Sequence, residues 1–247
     1  ANVLDSIASQ QKTLRELLKN NPKSRNYWRA LAIVALNQNK LDQVEETLAG
    51  FEKELGDSRK AIETYEELLI EWPDNADAVD ALEGMVRADE AAEEAFRVLG
   101  PTLSERGEWA RLFVVYDVLT GREEDVGRKV TNLLTMGEIA ENRMGEPLRG
   151  FECYGRAFTA DPLNREVLAH IDGLAEAHDM WHDVPDLLLG AARNIEGTPE
   201  SLALRLRAGA VQRDRLADRE AAVAAFEGVL ADHPDNVDAL TSLDRLY

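Results

Sequence analysis

The stretch LADREAAVAAFEGVLADHPDNVDALTSLDRLY, residues 216–247, decides the fold of this chain. Its apolar residues recur at the three- and four-residue spacing of one helical face: Ala221, Ala222, Val223, Ala225, Phe226, Val229 and Leu230. Pro234 predicts the end of that helix, because the residue before a proline is driven out of the α region. Asp235 or Asn236 can cap a second helix by accepting hydrogen bonds from its free backbone N–H groups. The stretch therefore predicts a helix, a turn and the start of another helix.

Two upstream segments repeat this order of a small residue, an aromatic residue, a second apolar residue and a proline. The three sets are Ala61, Tyr65, Leu68 and Pro73; Gly150, Tyr154, Ala157 and Pro162; and Ala222, Phe226, Val229 and Pro234. An asparagine follows each proline, at Asn75, Asn164 and Asn236. The last two prolines lie 72 residues apart, about two periods of roughly 34 residues. Weaker copies fill the intervals, including one around Trp109 and Tyr116.

These positions resemble the small, aromatic and proline positions of the tetratricopeptide repeat (TPR) family, and of long bacterial arrays in particular. Trp28, Leu31 and Ala32 similarly match the opening of one repeat, and Val44, Leu48 and Phe51 match its second helix. The resemblance implies an all-α, right-handed solenoid of antiparallel helix pairs, whose core is filled by Tyr65, Tyr154 and Phe226. We expect these aromatic residues, and the single cysteine, Cys153, to lie in the core.

The repeat pattern is irregular in two places, and this sets the predicted domain division. Residues 77–87 predict a first helix without a partner helix, and residues 41–55 fit two different repeats. Either the helix pairing slips at these joints or the phase of a degenerate repeat is misassigned. We predict N-terminal repeats in residues 1–88 and C-terminal repeats in residues 89–247, with further chain beyond residue 247.

The composition limits the classes of partner. The chain has 28 Lys and Arg against 47 Asp and Glu, a net charge of −19. This balance argues against nucleic acid, whose phosphates are met by clustered cations, and against anionic membrane surfaces. No segment reaches the roughly 20 apolar residues of a membrane span. The acidity indicates either a solvated surface that keeps the array soluble or an acidic recognition face.

No pattern predicts catalysis, a cofactor or a metal. The segment His178-Asp179-Met180-Trp181-His182 has the spacing of a zinc-protease motif, which needs both histidines on one face of a continuous helix. Here the segment falls at a turn, where Asp183 looks like the next helix cap. The many carboxylates are expected on solvated helix faces, and neither a phosphate-binding loop nor a nucleophile elbow is present. We therefore expect a protein that is not an enzyme.

The resemblance implies that partners are bound on the concave face, by exposed positions of each first helix. Mapping the repeat phase onto the chain places basic and amide-bearing residues there: Arg29, Arg97, Asn132, Asn142, Arg143, His170, Arg207 and Arg215. Since arginine offers a planar fork to carboxylates, an acidic or C-terminal peptide is the expected guest. Alternatively, these arginines pair with neighbouring Glu and Asp along the helices. The Lys and Asn set with which chaperone-binding relatives clamp a carboxylate is not found.

The sequence thus predicts a non-catalytic scaffold that binds a partner protein or packs into a larger assembly. Two alternatives remain open: homotypic assembly through the ends, residues 2–20 and 235–247, and a regulatory domain of a larger enzyme. A cytoplasmic location is expected, with the periplasm as the alternative. The Ala- and Arg-rich later repeats resemble those of long bacterial repeat proteins, and this resemblance implies a bacterial source.

Overall fold

The computed structural model describes residues 3–22, 24–36 and 58–247, which form helices and turns with no β-strand among them. The predicted helix at 41–55, with Val44, Leu48 and Phe51, lies outside the described residues, as does the side chain of Arg29. The α-helices run in this order: α1 Val3–Asn20, α2 Arg25–Leu36, α3 Ser58–Glu71, α4 Ala76–Ala88, α5 Ala92–Glu105, α6 Trp109–Arg122, α7 Val126–Glu138, α8 Pro147–Ala160, α9 Arg165–His178, α10 Val184–Asn194, α11 Pro199–Asp214, α12 Arg219–Asp232 and α13 Val237–Leu246. The all-α prediction is confirmed for these residues.

The helix boundaries follow the prolines and asparagines of the repeated pattern. Asn75 begins α4 by accepting a hydrogen bond from the Ala78 backbone N–H at 2.9 Å. Asn164 begins α9 and Asn236 begins α13 in the same way, each with an extended backbone. A cap of this kind contributes about 1 kcal/mol, because it satisfies a donor that the helix leaves free. The predicted turns at the three prolines are confirmed.

The contacts divide the chain into two compact units, Ala1–Leu119 and Thr120–Tyr247. The predicted division at residues 88 and 89 concerns the repeats and stays a prediction. In the first unit, α1 packs against α2, while α3, α4 and α5 pack against one another. The prediction that residues 77–87 lack a partner helix was wrong, because α4 packs against α5 across a turn of three residues.

In the second unit, α7 packs against α8, α8 against α9, α10 against α11, α11 against α12, and α12 against α13. The second helices α8 and α10 also contact each other. Short turns between successive packed helices make them antiparallel neighbours. By their place in the repeated sequence pattern, α7, α9 and α11 are first helices, and α8, α10 and α12 are second helices.

The predicted aromatic residues fill the core, and two of them lie against glycines. Tyr154 is 0% exposed and Phe226 is 1% exposed. A Cβ at Gly137 of α7 would lie only 2.2 Å from Cε1 of Tyr154, and one at Gly209 of α11 would lie 2.9 Å from the Phe226 ring. Because glycine carries no Cβ, each aromatic ring packs directly on the backbone of the preceding helix. Tyr65 and Cys153 are also buried, as predicted.

A π-helical turn, Ile139–Met144, continues α7 before the chain reverses. It ends at Gly145, whose φ of 68° is left-handed and whose backbone N–H donates to the Ala140 carbonyl. The hydrogen bond spans five residues rather than the four of an α-helix. The turn thus adds one residue to the helix that carries Asn142 and Arg143.

Candidate functional site

A groove between the first helices α9 and α11 is the candidate site. Its volume is about 460 Å³, and we name it the arginine groove. Its lining residues come from α9, from the turn after it and from α11 and its C-cap: Asp172, Gly173, Glu176, Trp181, Arg207, Ala210, Val211, Asp214 and Arg215. Two of the residues predicted from the sequence to bind a partner, Arg207 and Arg215, therefore lie in one groove.

Helix caps set the faces that line this groove. Asn164 accepts hydrogen bonds from the backbone N–H groups of Glu166 and Val167, both at 3.1 Å, and so begins α9. Thr198 caps α11 by accepting from the Ser201 N–H at 3.1 Å. Since residues three or four apart share a helical face, Asp172 and Glu176 of α9 face the groove together. Arg207 and Asp214 of α11 are seven residues apart, about two helical turns, so they also share one face of their helix.

Both predicted arginines are paired with carboxylates of the neighbouring first helix. Nη2 of Arg207 donates to Oδ2 of Asp172, and Nη1 of Arg215 lies 2.9 Å from Oε2 of Glu176. The alternative prediction, pairing with neighbouring acids, thus describes these two residues, although the pairs join two helices rather than turns of one helix. Exposed pairs of this kind contribute up to about 1 kcal/mol each. Among the described contacts, the buried Oδ1 of Asp172 has no hydrogen-bond partner.

Trp181 gives the groove an aromatic wall. The guanidinium carbon of Arg215 lies 4.5 Å from the centre of the Trp181 ring, within the range of a cation–π contact. At the same end, Arg213 holds Asp214 through two hydrogen bonds, at 2.7 and 2.8 Å. The Arg213 bond lowers the pKa of the Asp214 carboxyl below its ordinary value. Asp214 therefore remains charged at neutral pH.

The groove brings two guanidinium groups and an indole ring together. An arginine offers five N–H donors in a fixed fork, and the described groove contacts engage Nη2 of Arg207 and Nη1 of Arg215. The remaining donors are available to a second carboxylate, and the indole can pack against an apolar side chain. Among the described residues, no group of three or more His, Cys, Asp or Glu is placed to hold a metal ion.

The other predicted partner-binding residues do not line this groove. His170 stacks on Tyr154, with ring centroids 4.6 Å apart, so it supports the core. Asn132 lies on α7, and Asn142 and Arg143 lie exposed on the π-helical turn. Arg97 lies exposed on α5 in the first unit. Their proposed contact with a partner stays a prediction.

The segment that resembled a zinc motif is a turn, as predicted. His178 ends α9, and Asp179 adopts a left-handed φ of 56°. Asp183 is the N-cap residue of α10, as predicted, but its side chain makes no capping hydrogen bond. Trp181 is the residue of this segment that lines the arginine groove, and the sequence argument mentioned it only as a turn residue.

Sequence reasoning missed a second, larger groove, with a volume of about 1660 Å³. It lies between α7 and α8 and is bounded by the end of α6 and the start of α10; we name it the apolar groove. Val126 and Leu133 on α7 recur at seven residues, and Leu148, Phe151 and Gly155 on α8 at three and four. That spacing is visible in the sequence, but it does not distinguish an open groove from a filled core.

Comparison with known proteins finds limited similarity. No protein-family model matches the chain, and no curated protein matches its sequence. Among solved structures, the chain is similar to the crystal structure of the C-terminal part of a TPR repeat-containing protein from Cytophaga hutchinsonii. The two are 13% identical, the match covers 96% of this chain and 95% of that chain, and the TM-score is 0.37.

Proposed function

We propose that this chain is a non-catalytic protein-interaction module of the TPR type, a solenoid that holds an acidic segment of a partner in the arginine groove. The observation that carries the proposal is the meeting of Arg207, Arg215 and Trp181 in one groove between two first helices. The repeated small, aromatic, proline and asparagine positions support the assignment to this type of repeat. Among the described helices, none is long and apolar enough to cross a bilayer.

The carboxylates already present in the groove suggest how a guest would bind. Asp172 and Glu176 hold the two arginines extended between α9 and α11, so the guanidinium groups are positioned before a guest arrives. Positioning in advance lowers the side-chain entropy lost on binding. A guest carboxylate would take the remaining donors. Because each of the three groove carboxylates is paired with an arginine, Asp214 with Arg213, their repulsion of the guest would be reduced despite the overall charge of −19. The C-terminal carboxylate of a peptide fits this role as well as an acidic side chain.

Fluorescence anisotropy with a labelled ten-residue peptide of Asp and Leu, prepared with a free and with an amidated C-terminus, tests the proposal. The variant R207Q/R215Q should weaken binding about tenfold or more, the effect of losing charge-assisted hydrogen bonds. The matched control is R205Q, since Arg205 pairs with Asp232 of α12 at 2.7 Å and lies outside the groove lining.

The outcomes separate the possibilities clearly. Loss of binding in R207Q/R215Q with retention in R205Q supports the groove as the site. Equal affinity in all three proteins, or no binding of either peptide by the parent chain, contradicts the proposal. A stronger effect with the free C-terminus than with the amide would identify the terminal carboxylate as the recognised group.

A further inference from the structure

The apolar groove contains an open apolar surface within the second unit. Leu148 is 57% exposed and Val126 is 51% exposed, although both lie at its edge beside the buried Phe151. Gly155 lets Leu187 of α10 pack close to α8, because the nearest atom to a Cβ added there would be Cδ1 of Leu187 at 3.4 Å. Large aliphatic side chains in water at a concave surface are typical of a binding site for another protein.

The dimensions of the groove match a short helix. Its lining residues on α8 run from Leu148 to Ala160, which is about 18 Å of helix at 1.5 Å per residue. A helix about 10 Å wide and about 18 Å long fills roughly 1400 Å³. The groove volume of about 1660 Å³ is close to that figure. An amphipathic helix in a groove is an established mode of recognition between proteins.

The charged residues at the rim of the groove indicate which charge the flanks of a bound helix would carry. Four carboxylates and three cations line the groove: Glu123, Glu124, Glu152, Asp183, Arg122, Lys129 and Arg156. Arg128 already pairs with Glu123 at 2.9 Å, and Arg122 and Arg156 already have interactions of their own. No described ion pair or side-chain hydrogen bond engages Glu124, Glu152 or Asp183. The acids still available at the rim outnumber the available cation, Lys129, so a basic partner is favoured.

From these observations we propose that the apolar groove binds one amphipathic helix of a partner protein, about three turns long, with an aliphatic stripe and Lys or Arg on its flanks. Leu148, Phe151 and Val126 contact the stripe, and Glu124, Glu152 and Asp183 meet the basic flanks. This site shares no lining residue with the arginine groove. Its occupant has the opposite charge from the acidic guest proposed there, so the two sites can be tested independently.

The experiment uses the full chain and two labelled 14-residue helical peptides as probes. Both carry Leu at positions 3, 6, 7, 10 and 13; the flanking positions are Lys in one peptide and Glu in the other. We expect the Lys peptide to bind at least about tenfold more tightly than the Glu peptide, because of the rim charges. Fluorescence anisotropy at low and at moderate salt measures both affinities.

Three variants assign the binding to the groove. L148N and E152K should each weaken binding of the Lys peptide about tenfold, through the loss of an apolar contact and of a charge contact. L163N is the matched control, because Leu163 is 58% exposed, almost the same as Leu148, but lies in the turn between α8 and α9 outside the groove. Both leucine side chains are largely in water, so neither substitution should destabilise the fold.

Several outcomes would overturn the proposal that a basic helix binds in the apolar groove. Absence of binding by the Lys peptide, equal binding of the two peptides, or equal loss in L148N and L163N would each contradict it. A concentration-dependent dimer that disappears in L148N would show that a second copy occupies the groove instead. Failure of R207Q/R215Q to affect the acidic peptide would refute the proposed function without affecting this result.

Discussion

Replacing Gly137 with alanine is expected to destabilise the second unit, although alanine is the better helix former. A Cβ at residue 137 would lie 2.2, 2.6 and 2.7 Å from three atoms of the Tyr154 ring, whereas carbon atoms in contact lie about 3.5–4.0 Å apart. The ring cannot easily withdraw, because His170 stacks on one face at 4.6 Å and the hydroxyl donates to Oε2 of Glu141 at 3.2 Å. The helices α7 and α8 must separate instead.

The expected size follows from two opposing effects. Overpacking a core costs about 1–3 kcal/mol, and this overlap is severe, so we take about 3 kcal/mol. The gain in helix propensity from Gly to Ala offsets about 1 kcal/mol. The net loss of about 2 kcal/mol corresponds to a fall in melting temperature of about 4–8 °C for a chain of this size. Urea and thermal unfolding followed by circular dichroism measure it.

The same substitution at another helical glycine is the control. Gly173 in α9 has no atom within 4 Å of an added Cβ, so G173A should stabilise the protein by about 0.5–1 kcal/mol. G209A should lie between the two, since its Cβ would approach Phe226 to 2.9 Å. If G137A were as stable as G173A, the packing argument would be refuted.

Two further predictions concern charge. Substituting Arg111 with methionine should destabilise the first unit by about 2 kcal/mol, because Arg111 donates to Glu83, whose side chain is only 9% exposed. Urea unfolding measures the change. The control is R149M, which removes an exposed ion pair and should have little effect. Burial, followed by the charge and hydrogen bond of Glu141, raises the pKa of Tyr154 above its ordinary value near 10. As the pH rises, the unfolded chain therefore loses the Tyr154 proton before the folded chain does, so the free energy of unfolding should fall above about pH 10. In Y154F, urea unfolding should show a weaker dependence of this free energy on pH. An unchanged dependence would contradict the role assigned to Tyr154.

Sequence patterns predicted the parts of the fold that depend on local chemistry. Proline and asparagine act on their own backbone neighbourhood, so the starts of α4, α9 and α13 could be placed from Asn75, Asn164 and Asn236 alone. The burial of Tyr154 and Phe226 was predicted from the aromatic position of the repeat that the sequence resembles, and both are buried. These features can be predicted without knowing which helices pack against each other.

The parts that were missed depend on which helices are neighbours. The joint between α4 and α5 contains neither proline nor glycine, and Asp89 and Ala91 reverse the chain with left-handed φ values of 63° and 48°. L residues adopt this conformation rarely, so no ordinary turn signal marks it. Gly137 and Gly209 each precede their aromatic residue by 17 positions, a correspondence that a comparison of the repeats could have found.

The candidate site was predicted in part. Mapping the repeat phase onto the chain placed Arg207 and Arg215 near first helices. Arg207 lies on α11, Arg215 is its C-cap residue, and both line the arginine groove. Their carboxylate partners lie on another helix, and the cation–π contact of Arg215 depends on the position of Trp181 in a turn. Such contacts depend on side-chain direction in the packed structure, which residue spacing alone does not contain.

The π-helical turn at Ile139–Met144 has a consequence for how this repeat could diversify. One added residue advances the helical phase by about 100°, so side chains after the turn point in a different direction from those of an uninterrupted helix, while the packing before it is unchanged. Asn142 and Arg143 lie within the turn itself and are exposed. One residue added to a helix would thus redirect the side chains that follow it, while the Gly137–Tyr154 contact earlier in the helix is kept.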